Sequence, residues 1–327
     1  MSSRSARSAV TLTLLPLLLA GCASAAGSPD TDAAPPSPRA SVRTAAAPPT
    51  VGATPQLDSA NAEPLPLDPY LLNAEQQSAV ERAQQKLIVR CMASFGLSYA
   101  PPSGSGSRRD SDAPKTRVDS RYGHQNAALM AKWGYHPEGG VPAGAGARPS
   151  GPSVSPEMEL VLRGTADAAA RAGSGGRTVN GRTVSARGCV GEAVEELTGS
   201  PDGGIGDTEF ADDAKFTTLE QSRNDPRTQA VFRQWSQCMK DAGFDYADPL
   251  AALGDPQWRK SPTPTPQELK VATADAGCRH AHNVVGVWYA VDAGYQQQVI
   301  AANAAAMAEA KAAVETQVRA AARVAAG

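Results

Sequence analysis

Five cysteines are the residues of this 327-residue chain best suited to form covalent bonds. One of them, Cys22, directly follows an apolar N-terminal run and is considered below. The other four, Cys91, Cys189, Cys238 and Cys278, form an even set, which in an exported chain is typical of disulfides. Four cysteines allow three connectivities, so their number alone leaves the pairing open.

The histidines offer little for a metal site. His280 and His282 are two residues apart, and on a helix this spacing directs the two rings about 200° apart around the axis, so they do not readily bind one ion. His124 and His136 flank a short predicted helix without an acidic pattern beside them, and we expect both on the surface of a loop. We therefore predict no metal ligands.

Signatures of common active sites do not occur in the sequence. We find no CxxC, HExxH, GxSxG, SxxK, P-loop or GxGxxG pattern. We therefore predict no catalytic residue and no cofactor, and expect a protein that is not an enzyme.

The N-terminus has the pattern of an export signal. Arg4 and Arg7 precede an apolar run over residues 9–19, which is too short to span a bilayer stably. Leu-Ala-Gly then precedes Cys22, an arrangement that resembles the lipobox of bacterial lipoproteins. This resemblance implies cleavage before Cys22, acylation of Cys22 with palmitate-type chains, and a lipid anchor on the extracytoplasmic face of the cell membrane. An ordinary signal peptide beside an unmodified cysteine is the alternative.

The charge balance excludes a large basic surface. Without the two arginines of the signal, 29 basic residues face 33 acidic ones, a net charge of −4. Such a balance gives no general attraction to nucleic acid or anionic lipid, so we predict no nucleic-acid partner and expect membrane attachment only through Cys22.

The rest of the chain is predicted to be helical, because no alternating run of strand length stands out. Composition and helix signals divide it into a signal peptide (1–21), a disordered Pro/Ala-rich tether (22–70), a helical disulfide-bonded domain (71–300, with halves 71–200 and 220–300) and an Ala-rich helical extension (301–327). The fold class is thus all-α, a small disulfide-stapled domain with a long C-terminal helix, flanked and interrupted by disordered linkers.

The predicted C-terminal helix starts at Thr265, where Thr265-Pro266-Gln267-Glu268 has the form of a capping box. About 60 residues without proline follow, which as one helix would be about 90 Å long. Their apolar stripe comprises Val284, Val287, Trp288, Val291, Tyr295 and Val299, and then more thinly Ile300, Met307, Val314 and Val318. Because this stripe exceeds what one small core can cover, we expect residues 301–327 to stay exposed unless an envelope protein partner binds along them.

A weak internal repeat suggests the disulfide pairing. Cys91-Met92 and Cys238-Met239 are each followed, at matching offsets, by glycine and tyrosine, and then by a second helix that carries Gly-Cys. The simplest pairing lies within each half, Cys91 with Cys189 and Cys238 with Cys278. Five aromatic residues are expected to fill the space around the second disulfide, or else to line a ligand cavity: Trp235, Phe244, Tyr246, Trp288 and Tyr295.

These motifs resemble an actinobacterial family of uncharacterised exported lipoproteins. The resemblance rests on the lipobox, the paired Cys-Met-x3-Gly-apolar-x-Tyr motifs, Arg121-Tyr122-Gly123 with Gly134-Tyr135-His136, and Ala274-Asp275-Ala276-Gly277-Cys278 with the later Trp288 and Tyr295-Gln296, over about residues 71–310. It implies a location in the cell envelope, a fold and an association with envelope transport or cell-wall proteins, but no catalysed reaction.

We therefore expect a membrane-anchored, non-enzymatic interaction or scaffold module of the cell envelope. The alternative is a lipoprotein that binds a small molecule or a cell-wall ligand, which needs an enclosed aromatic pocket of several hundred Å³.

Overall fold

The structure is a computed structural model that describes residues 41–45, 47–57, 63–101, 121–122, 126–137, 139, 154–167 and 169–327. The predicted signal peptide, Cys22, His124 and most of the predicted internal linkers lie outside the described residues. Within the described part, ten α-helices and one minimal hairpin confirm the all-α fold class. No helix in these residues is long and apolar enough to cross a bilayer.

The helices are α1 (Ala74–Ser94), α2 (Ala127–Trp133), α3 (Pro156–Arg163), α4 (Gly188–Thr198), α5 (Glu209–Asn224), α6 (Pro226–Asp241), α7 (Pro249–Leu253), α8 (Pro266–Ala281), α9 (Val284–Ala302) and α10 (Ala304–Ala326). Strands β1 (Thr178–Val179) and β2 (Arg182–Thr183) pair antiparallel in the glycine-rich link before α4. Short 3-10 turns cover Asp68–Tyr70 and Pro256–Lys260.

Local sequence signals place several helix ends correctly. Asn73 and Gln76 form both hydrogen bonds of a capping box at α1, and Asp225 caps α6 ahead of a proline at the first position. Only one of the two hydrogen bonds of the capping box predicted at Thr265 is formed. The Thr265 hydroxyl accepts from the backbone N–H of Glu268, but the Glu268 carboxylate turns into the protein interior instead of returning to the cap.

The C-terminal stretch is helical as predicted, but it turns twice instead of forming one rod. Asn283 has a left-handed backbone (φ 48°) between α8 and α9, a conformation that asparagine tolerates better than most residues. Asn303 separates α9 from α10, and its side chain donates to the carbonyl oxygen of Val299 at 2.7 Å, in the last turn of α9. The two turns fold the stretch back onto the rest of the protein.

The first bundle consists of α1, α3, α4 and, from the far end of the chain, α10. Apolar residues of α1 and α4 pack with those of α10, including Val80, Leu87, Leu197, Val314 and Val324. Gln317 adds a pair of hydrogen bonds, because its side-chain amide both donates to and accepts from the backbone of Gly206 at 2.8 Å. The prediction that residues 301–327 form an exposed extension is therefore wrong, since α10 completes this bundle.

The second bundle consists of α5 to α9 together with residues 121–122 and 126–137, which we call the docking segment. The segment includes α2, which packs on α8, while Tyr122 enters the main core of this bundle. The predicted halves 71–200 and 220–300 thus exchange elements. The first half contributes the docking segment to the second bundle, and the chain beyond residue 300 contributes α10 to the first.

The described parts of the predicted tether are ordered against the fold. Leu65, Leu67 and Leu71 are buried, the last two in a cluster with Val299 and Met307. Further upstream, residues 41–45 and 47–57 run along α9, and we call them the N-terminal strap. The prediction of a disordered tether over residues 22–70 is therefore wrong for these residues, while residues 22–40 lie outside the described part.

Candidate functional site

The two disulfides join the predicted partners. Cys91 pairs with Cys189 across α1 and α4, and Cys238 pairs with Cys278 across α6 and α8. In both pairs the second cysteine is buried, so each bond is part of a packed core. The pairing expected from the internal repeat is confirmed. By limiting the unfolded chain, the bonds contribute about 4 to 5 kcal/mol each in the chain-entropy description.

The predicted aromatic residues mostly surround the second disulfide, as the core interpretation expected. Trp235 and Trp288 are completely buried in the same cluster as Cys278, and Phe244 and Tyr246 pack on its edge. The ring centroid of Trp288 lies 5.1 Å from that of Phe232 and 5.0 Å from that of Tyr122. Side chains of the protein itself therefore fill the space around Trp288.

Tyr295 lies apart from this cluster. Its hydroxyl donates to Asp225 at 3.1 Å, and the same carboxylate accepts two hydrogen bonds from Arg227 at 2.7 and 2.8 Å. The hydrogen bonds from Arg227 outweigh the effect of burial and lower the pKa of Asp225. Arg227 also donates to the carbonyl oxygen of Pro49 in the N-terminal strap at 3.0 Å.

The docking segment is held first by Asp292 of α9. This carboxylate accepts from Arg121 at 2.7 and 2.9 Å and from the Tyr122 hydroxyl at 2.6 Å, and all three groups are buried. Burial alone would lower the pKa of Arg121, but the charge of Asp292 and its hydrogen bonds outweigh burial and raise it. Arg121 therefore remains protonated within the core.

A second buried carboxylate, Asp275 of α8, connects three elements. It accepts from Trp235 at 2.8 Å, from Arg279 at 2.7 Å and from the Tyr135 hydroxyl at 3.0 Å. Arg279 also donates to the backbone carbonyl oxygen of Tyr122 at 2.9 Å. Burial and the neighbouring carboxylate raise the pKa of Tyr135, which thus stays a neutral donor.

His136 and Glu268 form the third contact. The prediction that His136 lies on a loop surface is wrong, because the residue is only 7% exposed. Its Nδ1 lies 2.7 Å from Glu268 Oε1 and its Nε2 lies 2.9 Å from the carbonyl oxygen of Ser261. Burial lowers the pKa of His136, but the hydrogen bonds to Ser261 and Glu268 and the charge of Glu268 outweigh it and raise the pKa. A ring between two acceptors makes both hydrogen bonds only when protonated.

Taken together, these ionisable groups hold one segment of the chain. The second bundle presents three acids and one arginine, Glu268, Asp275, Asp292 and Arg279, and the docking segment supplies Arg121 and His136. Buried charges of this kind are stable only when they are paired, which the geometry achieves. Among the described residues, no group of three histidine, cysteine or acidic side chains is placed to hold a metal ion.

The N-terminal strap occupies a groove along α9 and runs opposite to the helix. At one end Arg43 exchanges backbone hydrogen bonds of 3.0 and 2.9 Å with the Asn303 side chain. Further along, Gln298 donates to the carbonyl oxygen of Ala47 at 3.3 Å. At the other end Gln56 donates to the carbonyl oxygen of His280 at 3.1 Å. The strap is thus held at both ends and along its length.

Two glycines of α9 let the strap approach the helix backbone. A Cβ atom built at Gly294 would lie 2.9 and 3.0 Å from side-chain atoms of Pro49, closer than side chains tolerate. At Gly286 a Cβ atom would overlap the carbonyl oxygen of Pro55. The floor of the groove therefore exists only because these positions lack a side chain.

His280 and His282, expected to be solvated at the edge of the helix, lie at the C-terminal end of α8, and His282 is half-buried. His280 is exposed at the end of α8, and His282 follows as the cap residue of that helix. The groove and the buried acids were missed by the sequence analysis, which had assigned Glu268 to a cap and residues 41–57 to a tether. Their sequence signals are the glycines of α9 at an interval of eight residues and the motifs that contain Arg121-Tyr122, Gly134-Tyr135-His136 and Asp275.

Comparison with known proteins gives no family assignment. No protein-family model, no curated protein and no solved structure matches this chain.

Proposed function

We propose that this protein is a lipid-anchored, non-enzymatic interaction module on the extracytoplasmic face of the cell membrane. In this proposal the signal is cleaved before Cys22, which carries the acyl chains. Residues 22–40 connect the lipid to the strap, and the two helical bundles form a scaffold for an envelope protein of a transport or cell-wall system.

The observation that carries the proposal is the docked strap. The chain that follows the lipobox is bonded at intervals to α6, α8 and α9, and Leu65 to Leu72 then enter the core. A folded part held in this way would transmit the position of the anchor to two rigid bundles. This arrangement supports a protein whose function depends on where it is held relative to the membrane.

The placement of the ionisable groups supports a non-enzymatic role. His136, Glu268 and Asp275 are the type of residue that general acid–base chemistry uses, yet each is buried and bonded to groups of the protein itself. Their bonds connect the docking segment to α8. The filled space around Trp288 favours the scaffold over the ligand-binding alternative.

The surface available to a partner differs from the one expected from the sequence. The apolar side of α10 packs on α1 and α4, so an envelope partner along this helix would meet only its outer side, which carries Lys311, Glu315 and Arg319. Phe216 of α5 is the most exposed of the large apolar side chains in the described residues, at 61%. These two surfaces are the positions at which cross-linkers should be placed.

The test begins with the anchor. Cells grown with an alkyne analogue of palmitate should label the wild-type protein, and Cys22→Ala should abolish the label, whereas Ser28→Ala should keep it. A photo-cross-linking residue at 216 or 315 should then give a discrete envelope adduct in the wild type that is lost with Cys22→Ala. A fully labelled Cys22→Ala protein refutes the anchor. A labelled wild type without any adduct refutes the interaction module.

A further inference from the structure

We propose that the groove along α9 is a docking site for an extended, proline-containing peptide. The N-terminal strap occupies this site and can be displaced from it. Release of the strap would lengthen the connection between the folded part and the lipid. The consequence for membrane distance rests on the proposed function of Cys22, whereas the docking site itself does not.

The groove recognises the peptide backbone more than its side chains. The carbonyl oxygens of three strap residues, Arg43, Ala47 and Pro49, accept hydrogen bonds from side chains of α6, α9 and the α9–α10 turn. An extended segment with proline keeps its carbonyl groups free of internal hydrogen bonds and loses little conformational entropy when it binds. Recognition of this kind depends on shape, which makes the site transferable to another peptide of the same form.

Shape selection is concentrated at Pro49 and Gly294. Pro49 is buried, whereas most other strap residues are exposed. The three atoms nearest to a Cβ built at Gly294 all belong to Pro49 and Thr50. A side chain at this position therefore meets the strap first, so that position 294 can be used to expel the strap while the core of the bundle stays in place.

The hydrogen bonds of the strap lie near the surface, which favours displacement, while Val42 and Leu57 add partly buried apolar contacts with the clusters beneath them. Each of its hydrogen bonds to the helices is partly or fully exposed, so water can replace it. Leu65 and Leu67, by contrast, are buried with almost no exposure. Release is therefore expected to stop at Leu65, where the chain enters the core.

The two states differ in reach. With the strap docked, residues 22–40 join Cys22 to the strap, and 19 residues span at most about 65 Å. With the strap released, residues 22–64 become available, and 43 residues span at most about 150 Å. Displacement would more than double the largest distance between the membrane and the folded part.

Limited trypsin digestion of the full-length Cys22→Ala chain tests docking without the anchor. The backbone of Arg43 is bonded to Asn303, so cleavage after Arg43 should be slow in this chain. Gly294→Val, added to it, should expel the strap and accelerate this cleavage at least tenfold. The matched control is Gly277→Val, because Gly277 is an exposed helical position with nothing within 4 Å of a Cβ atom. It should leave the rate unchanged.

A peptide of residues 44–57 tests whether the site is transferable. It contains no lysine or arginine, so trypsin leaves it intact. The strap competes at an effective concentration on the order of mM, so the peptide must be added at several mM. It should then accelerate cleavage after Arg43, and a peptide with Pro49→Asp should not.

Each outcome decides a part of the proposal. Equal cleavage rates for the parent chain and Gly294→Val refute docking in the groove. Acceleration by Gly294→Val without acceleration by the peptide refutes a transferable site. Faster cleavage of Gly294→Val than of Gly277→Val at lysines and arginines within the helical bundles would attribute the cleavage after Arg43 to global unfolding, which also refutes the proposal. None of these results depends on whether Cys22 is acylated.

Discussion

Deletion of α10 is expected to unfold the first bundle. If the chain is ended after Asn303, α1 and α4 lose the helix that covers their apolar sides. Val314 and Val324 of this bundle, and Met307 of α10, which packs with Leu67 and Val299, are at most 7% exposed. Full burial of such side chains contributes about 1.5 to 3 kcal/mol each. The three together amount to about 5 to 9 kcal/mol, before Gln317 and the buried alanines are counted. This is comparable to the total stability of a typical domain, about 5 to 15 kcal/mol.

Urea unfolding followed by circular dichroism, with hydrogen exchange of the α1 amides, measures this effect. The truncated chain should lose most of the protection in α1, while the second bundle, whose main core contains no residue of α10, should keep its protection. The control is the double variant Lys311→Ala and Glu315→Ala, because both side chains point outward from α10. It should change the unfolding free energy by no more than about 0.5 kcal/mol. A truncated chain with wild-type protection in α1 would show that α10 does not stabilise the bundle.

Three further predictions concern the second bundle. Trp288→Ala should lower the free energy of unfolding in urea by about 3 to 5 kcal/mol because it removes a large buried side chain. Phe216→Ala should lower it by about 0.5 kcal/mol or less. Equal losses would contradict the packing around Trp288. Asp292→Ala should cost about 3 to 5 kcal/mol because Arg121 is left buried without a counter-charge, and Arg121→Met together with Asp292→Leu should recover a substantial part of that loss. A double variant no more stable than Asp292→Ala argues against the pair. The contribution of His136 to the free energy of unfolding should be fully present below about pH 6.5 and lost as the pH rises through its raised pKa in the folded protein. The melting temperatures of His136→Gln and wild type should therefore differ most at low pH. A pH-independent difference would exclude the ionised pair with Glu268.

Local chemistry made part of the fold predictable from the sequence. The caps at Asn73 and Asp225 depend on residues within three positions of each other, and such signals are contained in a short window. The disulfide pairing followed from a repeat that places each second cysteine after its own Cys-Met motif. Predictions of this type failed only where a distant group competed, as at Glu268, whose carboxylate bonds His136 and the Tyr135 backbone instead of its own helix end.

The packing of α10 is not evident from its large apolar residues alone, because several residues of its periodic buried stripe are alanines. Apart from Ala320, the buried positions from the cap residue onward alternate between intervals of four and three residues: Asn303, Met307, Ala310, Val314, Gln317, Ala321 and Val324. This is the interval of helices that pack side by side, and it predicts an internal face even when few members are large. A stripe defined by Val and Met alone looked too thin to be buried. A count that included alanine and glutamine would have identified it.

The strap and the docking segment could not be placed from sequence for another reason. Their contacts join residues 132 to 260 positions apart, such as His136 with Glu268 and Arg43 with Asn303. A proline-rich composition is typical of an unstructured chain, and the composition contains no information on the helix side chains that bind its carbonyl groups. Both features therefore depend on the assembled helices.

The position of α10 also determines when the first bundle can be completed during synthesis. Val80 of α1 leaves the ribosome 234 residues before Val314, its cluster partner in α10. At a synthesis rate of roughly 5 to 20 residues per second, α1 exists for about 10 to 50 s without the helix that covers it. During that time its apolar side is open to chaperones or to other nascent chains. In the exported protein proposed above, folding outside the membrane is therefore expected to begin in the second bundle, with the first bundle closing only after the last helix emerges.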